Sequence, residues 1–261
     1  MNSISILGCG WLGLPLARNL VKAGYSVSGS TTRISKIPVL EKEGIAPCLV
    51  NLNPKLEESA KHFFDTDLLI VNLPPRNKND QEGFHKAQLE EIINAAKKKV
   101  KKVIFVSSTA VYPSDNSEVI ESDASHSSLS RSGIPLLEME NLFVEESSLE
   151  TTVIRFGGLY GPDRHPGRFL AGKKNLAGAN NPINMIHLED CIGVISAIIE
   201  KGLWGEVFNA CSPNRSTRKS FYESAAKELD MVPPAFSCEE SPYKLVNSDK
   251  LLSATGYKFI F

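Results

Sequence analysis

An open α/β sheet, mostly parallel and doubly wound with helices on both faces, is the fold this sequence predicts. Three observations carry that expectation. Short apolar runs alternate with longer helical patterns from Ser3 to Phe156, the rhythm of β-α-β units. The stretch Leu68–Leu73 (LLIVNL) is apolar nearly throughout, as a strand covered on both faces must be. The first apolar run ends in three closely spaced glycines just ahead of a helical pattern.

Taken in order, Ser3–Leu7 reads as the first strand, Leu12–Ala23 as the helix after it, and Gly24 as the helix stop. Ser26–Ser30 and Pro47–Asn51 read as the second and third strands, and Leu68–Leu73 as the fourth. Gln81–Lys98 is helical and runs into the basic triplet Lys97–Lys99, which suits the negative end of a helix dipole. Lys102–Ser108 (KVIFVSS) is a fifth, central strand, Gly133–Ser147 a helix, and Thr151–Phe156 (TTVIRF) a sixth strand. Beyond Gly157 the rhythm loosens, and Gly157–Asn181 reads as glycine-rich loop with a little helix. Asn184–Leu188 is then a short strand, Glu189–Lys201 a helix, Glu206–Ala210 a strand, Arg218–Leu229 a helix and Asp249–Gly256 a last helical segment. The break divides the chain into residues 1–157 and a smaller part, 158–261, partly interleaved with the first.

The composition excludes several classes of function. With 29 basic and 30 acidic residues the formal net charge is −1, so no global field draws the chain to nucleic acid or an anionic membrane. No apolar run reaches the ~20 residues that span a bilayer. Met1–Gly8 runs straight into a strand, with no basic segment and long apolar stretch of the secretory kind. Five scattered cysteines, Cys9, Cys48, Cys191, Cys211 and Cys238, suit neither a disulfide framework nor a zinc site. A reducing, cytoplasmic location is the expectation, and the cysteines read as buried small hydrophobes.

The glycines carry the first chemistry. Gly8-Cys9-Gly10-Trp11-Leu12-Gly13 is a G-x-G-x-x-G between a strand and a helix. In that context the first glycine makes the tight turn, the second lets backbone approach a pyrophosphate, and the third lets helix pack on strand. The helix N-terminus, Trp11 and Leu12 included, then offers N–H groups and partial positive charge to the anion. At the end of the second strand an NAD-preferring site usually carries Asp or Glu, ~20 residues after the glycines. Here stand Ser30-Thr31-Thr32-Arg33. The hydroxyls of Thr31 and Thr32 and the guanidinium of Arg33 suit a 2′-phosphate, so the expected cofactor is NADP, with NAD possible and Arg33 then a solvated surface residue.

Together these residues resemble the extended short-chain dehydrogenase/reductases, the NAD-dependent epimerase/dehydratase group, in its atypical bacterial sugar-epimerase-like branch. The resemblance covers almost the whole chain. It includes Leu73-Pro74-Pro75 after the fourth strand, Ser107-Ser108-Thr109-Ala110-Val111-Tyr112 at the fifth, and Arg155-Phe156-Gly157-Gly158-Leu159-Tyr160-Gly161-Pro162 after the sixth. Ile186-His187-Leu188-Glu189-Asp190 and Val207-Phe208-Asn209-Ala210 follow in the family's order. The resemblance implies a Rossmann-type sheet with a small C-terminal substrate lobe and a dinucleotide held also by Leu73, Pro74, Pro75, Ser107 and Phe156. It further implies a small polar substrate, nucleotide-linked or free, met by Tyr160, Arg164 and Arg168, and a homodimer through a helical face as one assembly.

In two respects the chain departs from the family. Extended members tend to carry G-x-x-G-x-x-G, and the first glycine of that frame falls here on Leu7, so the loop is of the G-x-G-x-x-G form. The larger departure concerns the chemistry of the family. Its enzymes pair the Ser or Thr of the fifth strand, here Ser108 with Thr109 as near substitute, with Y-x-x-x-K on the next helix. Tyr moves the proton and Lys lowers its pKa. Aligning Glu140-Asn141-Leu142-Phe143 puts the Tyr position on Ser132 and the Lys position on Leu136; a shift of two gives Ser130 and Ile134. No Tyr lies between Tyr112 and Tyr160, and no Lys between Lys102 and Lys173. Tyr112 is the one nearby phenol, either a substitute proton donor or packing beneath the loop. His187 and Asp190 read as structural pins at a strand-to-helix junction, and His62, His85 and His126 show no ligand spacing. Two readings remain: an epimerase/dehydratase-like oxidoreductase without the Tyr-Lys pair, and a non-catalytic NADP(H)-binding sensor or partner-binding protein.

Overall fold

The computed structural model describes residues 1–73, 83–125, 134–214 and 216–261. Along the chain run β1 (Ser3–Leu7), α1 (Gly13–Lys22), β2 (Ser26–Thr31), α2 (Ile37–Lys42), β3 (Ala46–Leu49), β4 (Leu68–Val71), α3 (Phe84–Ala96), β5 (Lys102–Ser108) and β6 (Ser117–Val119). They continue as α4 (Ile134–Val144), β7 (Glu150–Phe156), β8 (Gly158–Tyr160), α5 (Gly167–Leu170), β9 (Met185–His187) and α6 (Leu188–Lys201). The last are β10 (Val207–Ala210), α7 (Arg218–Lys227), β11 (Lys244–Val246) and α8 (Asp249–Thr255).

Seven strands form one parallel sheet in the order β10-β7-β5-β4-β1-β2-β3. The order runs outward in both directions from β1 and β4, so a topological switch point lies between them. Ligands of doubly wound sheets bind beyond the C-terminal ends of such strands. β1 pairs with β2 through Ser3–Ser26 and with β4 through Ile4–Leu68. All four residues of β4 are buried, which explains the unbroken apolar run.

The chain divides into two compact units that draw on separated stretches of sequence. Unit 1 comprises residues 1–107, 135–154 and 198–207; unit 2 comprises 108–134, 155–197 and 208–261. Unit 1 has a continuous core in which Phe63, Phe64, Leu69, Ile92, Phe105 and Phe143 are buried. Each such side chain contributes roughly 1.5–3 kcal/mol relative to exposure. Polar groups inside are satisfied: the Ser5 hydroxyl donates to the Phe63 carbonyl at 2.7 Å and that of Thr151 to the Phe143 carbonyl at 3.0 Å. Unit 2 holds two small parallel pairs, β8 with β9 and β11 with β6.

Several short elements carry no periodicity in the sequence. α2 is one turn and a half with Pro38 in its first turn, and β6, β8 and β11 are three residues each. Among the described residues no helix is long and apolar enough to cross a membrane, and no group of three or more His, Cys, Asp or Glu could hold a metal ion.

Candidate functional site

The glycine loop in unit 1 is built around the end of β4. Gly8 adopts φ +106°, and a Cβ there would overlap the Asn72 carbonyl oxygen. Its N–H donates to the Ser30 hydroxyl at 2.8 Å, and its carbonyl accepts from the Asn72 side-chain amide at 3.1 Å. A Cβ at Gly13 would overlap the Gly8 carbonyl, so α1 can enter this close only without a side chain. Gly10 differs: a Cβ there would meet no protein atom within 4 Å. Packing therefore requires glycine at the first and third positions, while the second keeps backbone open to the space where a pyrophosphate would approach. No side chain caps α1, and its first turn holds no acidic residue, so its positive end stays available to an anion. These residues fit a dinucleotide.

β2 carries the ribose side. Thr31 is buried and its hydroxyl accepts the Arg33 N–H at 3.1 Å, folding the strand end into a tight turn. Thr32 and Arg33 are exposed beyond it. Lys36, which lies close enough to favour the Cys9 thiolate electrostatically, adds a second cation that the sequence motif does not single out. Cys9 itself is buried in the loop, and burial pushes its thiol up to about 12. Leu73 packs beside Gly8, since a Cβ there would stand 3.6 Å from Leu73 Cδ2. Pro74 and Pro75 lie outside the described residues. Ser107, expected on the cofactor, donates its hydroxyl instead to the Glu140 carboxylate at 2.5 Å, and both side chains are buried. Of the positions aligned with the missing Tyr-Lys pair, Leu136 and Ile134 lie in α4, and Ser130 and Ser132 lie outside the described residues.

The expected catalytic segment falls in unit 2. Ser108 is part-exposed, and its hydroxyl accepts the Ala110 N–H at 3.2 Å, capping the turn Thr109–Val111. Thr109 is buried. Tyr112, the candidate proton donor, is 2% exposed. Its hydroxyl donates to Asn209 Oδ1 at 2.7 Å and accepts from Arg155 at 2.7 Å. Arg155 also donates to the Glu121 carbonyl, the Asn209 N–H donates to Glu121 Oε1, and Lys244 Nζ donates to the Tyr112 carbonyl. Burial pushes the phenol up to about 12, against the pull of Arg155. The phenol is thus held from both sides within a buried polar network, its one proton and one acceptor position in use. Phe156 is likewise core, 1% exposed.

A cleft of about 600 Å³ opens elsewhere in unit 2, with Tyr160, His165, His187, Phe221, Glu228 and Phe261 among its walls. Tyr160 meets His187 and Phe221 edge-on, with ring centroids 5.1 and 5.8 Å away. Phe261 lies 3.8 Å from the His187 ring. Arg164 and Arg168, expected beside Tyr160 on the substrate, are exposed and do not line it. Asp190, fully buried, pins the adjoining tail: it accepts the Tyr257 hydroxyl at 2.9 Å, the Ile260 N–H at 2.8 Å and the Phe261 N–H at 3.2 Å. The pin expected at Asp190 thus has its partners far along the sequence. Burial lowers the His187 pKa, opposed by Asp190 and Glu189.

The family model for NAD(P)H-binding proteins matches residues 8–195. Protein YeeZ of Escherichia coli (strain K12) is 31% identical over 265 residues, which cover 99% of this chain and 96% of YeeZ. The solved UDP-glucuronic acid 4-epimerase from Bacillus cereus, in complex with UDP-glucuronic acid and NAD, has a TM-score of 0.78 at 18% identity, covering 100% of this chain and 95% of that one. A functionally unknown conserved protein from Silicibacter pomeroyi DSS scores 0.78 at 20% identity, covering 100% and 94%. At these identities the structural likeness is one of fold. The chain belongs to the NAD(P)H-binding family, and its seven-stranded Rossmann-type fold is that of the epimerases of the short-chain dehydrogenase/reductase kind.

Proposed function

We propose that the protein binds NADP(H) at the glycine loop and uses it in an oxidoreductase or epimerase/dehydratase-type reaction on a small polar substrate, without a Tyr-Lys pair. The observation that carries the cofactor half is the contrast among the glycines: Gly8 and Gly13 are fixed by the protein's own packing and Gly10 is not. The Bacillus cereus epimerase of like fold is described with NAD; the basic end of β2, with Arg33, Lys36 and no carboxylate at Ser30–Arg33, supports NADP here. When bound, the nicotinamide would supply or accept the hydride. Ser108 Oγ accepts Ala110 N–H, which leaves its own proton to orient a substrate oxygen. The substrate side is a small molecule on this reading, the location cytoplasmic, and a homodimer the assembly to test by light scattering.

A second reading, an NADP(H) sensor without turnover, is favoured by the fate of the other oxygens. Tyr112 is locked between Arg155 and Asn209, and Ser107 is committed to Glu140. Calorimetry of NADPH with Gly10→Val tests what the two readings share. A side chain in the pyrophosphate's space should weaken binding by ~100-fold or more with the fold intact; parental affinity places the cofactor elsewhere. Hydride transfer from NADPH, assayed on a carbonyl and sugar-nucleotide panel, then separates the two. Turnover lost in Ser108→Ala supports the enzyme, and tight NADPH binding without turnover supports the sensor.

A further inference from the structure

We propose that the cleft in unit 2 is a binding site for a ligand bearing an organic ammonium group. The inference stands whether or not NADP(H) binds, since every residue it uses belongs to unit 2.

The cleft's size, about 600 Å³, is that of a small-molecule site, and apolar rings with a few polar groups are the usual lining of one. Three features set the sign of what fits. First, Tyr160, Phe221 and Phe261 supply aromatic rings around one space, and the negative face of a ring attracts a cation. Second, the ionisable side chains among the described lining residues are Asp163, Glu228, His165, His187 and the Tyr160 phenol. No Lys or Arg is among the described lining residues. Third, both carboxylates keep acceptor positions for a ligand. His165 Nδ1 accepts the Gly167 N–H at 3.1 Å, so Nε2, 3.3 Å from Glu228 Oε2, is the nitrogen that donates to that carboxylate. One donor leaves the other lone pairs of the carboxylate open. His187 Nδ1 accepts the Glu189 N–H, and burial favours its neutral form. Two carboxylates beside three aromatic rings form a cation site, and the serines of α7 that also line it, Ser220 and Ser224, are able to accept from an ammonium N–H or an attached hydroxyl.

Calorimetric titration of the full chain, without NADP(H), with choline chloride and with its neutral isostere 3,3-dimethylbutan-1-ol at equal ionic strength, tests the proposal. Choline should bind at least ~5-fold tighter than the alcohol. Phe221→Leu, which keeps apolar bulk and removes the ring, should weaken choline by ~3-fold or more while Phe221→Tyr retains it. Glu228→Gln, at a side chain 62% exposed, should weaken choline and leave the alcohol unchanged. The proposal is overturned by equal affinity for choline and alcohol, or by no choline binding in the millimolar range. It is overturned equally by uridine diphosphate binding that Glu228→Gln strengthens.

Discussion

The glycine loop and the Ser108–Tyr112 segment are both motif-bearing turns at the ends of strands, yet they spend their polar groups in opposite ways. In the loop, side chains from β2 and the end of β4 hold the backbone, with Ser30 on the Gly8 N–H and Asn72 on the Gly8 carbonyl, while the N-terminus of α1 has no side-chain cap. In the second segment the side chains themselves are consumed. Ser108 caps a turn, Thr109 is buried, and the Tyr112 hydroxyl has a donor on one side and an acceptor on the other. Hydrogen-bond accounting thus separates a motif whose backbone is left open from one whose side chains are already in use.

The largest effect should come from the loop's own packing. Gly8→Val or Gly13→Val drives a side chain into backbone carbonyls and should cost about 3 kcal/mol or more in urea unfolding. Gly10→Ala should stay within about 0.5 kcal/mol. Equal losses at all three would erase the distinction between packing and ligand glycines.

Next comes Tyr112→Phe, which strips a partner from Arg155 and Asn209 and should cost about 1–3 kcal/mol of stability with NADPH affinity unchanged. Because the folded phenol titrates near 12 against an ordinary 10.0, its contribution is complete below pH 10 and fades as pH rises toward 12. The variant should flatten that part of the stability profile. Lost cofactor affinity or lost turnover in a stable Tyr112→Phe protein would return the phenol to the reaction.

Arg33→Ala is expected to weaken NADP by about 10-fold and NAD little, since a bidentate phosphate contact is worth roughly 1.5–3 kcal/mol. Matching losses for both cofactors would sink the NADP assignment. Smallest is Ser108→Ala, about 0.5–1 kcal/mol as a lost turn cap in thermal melts. A fall in turnover out of proportion to that figure would mark Ser108 as more than a cap.

Much of unit 1 was legible because its strands obey simple periodicities. Ser3–Leu7 and Lys102–Ser108 coincide with their predicted bounds, and most other strands and helices of the sheet fall within a few residues of theirs. What the sequence hid has physical causes. β6, β8 and β11 are too short to show alternation, and Pro38 masks α2 as a breaker although it stands where a helix tolerates it. The candidate site was legible where it is local. Gly8, Gly10 and Gly13 act on one turn, and their neighbours in sequence define them. Tyr112 was not legible, because its partners Asn209 and Arg155 lie 97 and 43 residues away. The same distance hid the clamp of Asp190 on Tyr257 and Phe261, and left the cleft walled by residues from 160 to 261 without a motif.

The thiol behind the glycine loop has a practical consequence. Cys238 is exposed, whereas Cys9, Cys48, Cys191 and Cys211 are buried, so a maleimide should mark Cys238 within the dead time and the others only as the fold breathes. Cys9 sits where a Cβ on Gly29 would collide with its sulfur, wedged between the turn and the second strand. Its alkylation rate is therefore a clock for the opening of that turn. Slowing of that clock by NADPH, with the rate at Cys211 as an internal standard from the other unit, would report nucleotide occupancy in a mass spectrum without any enzymatic assay.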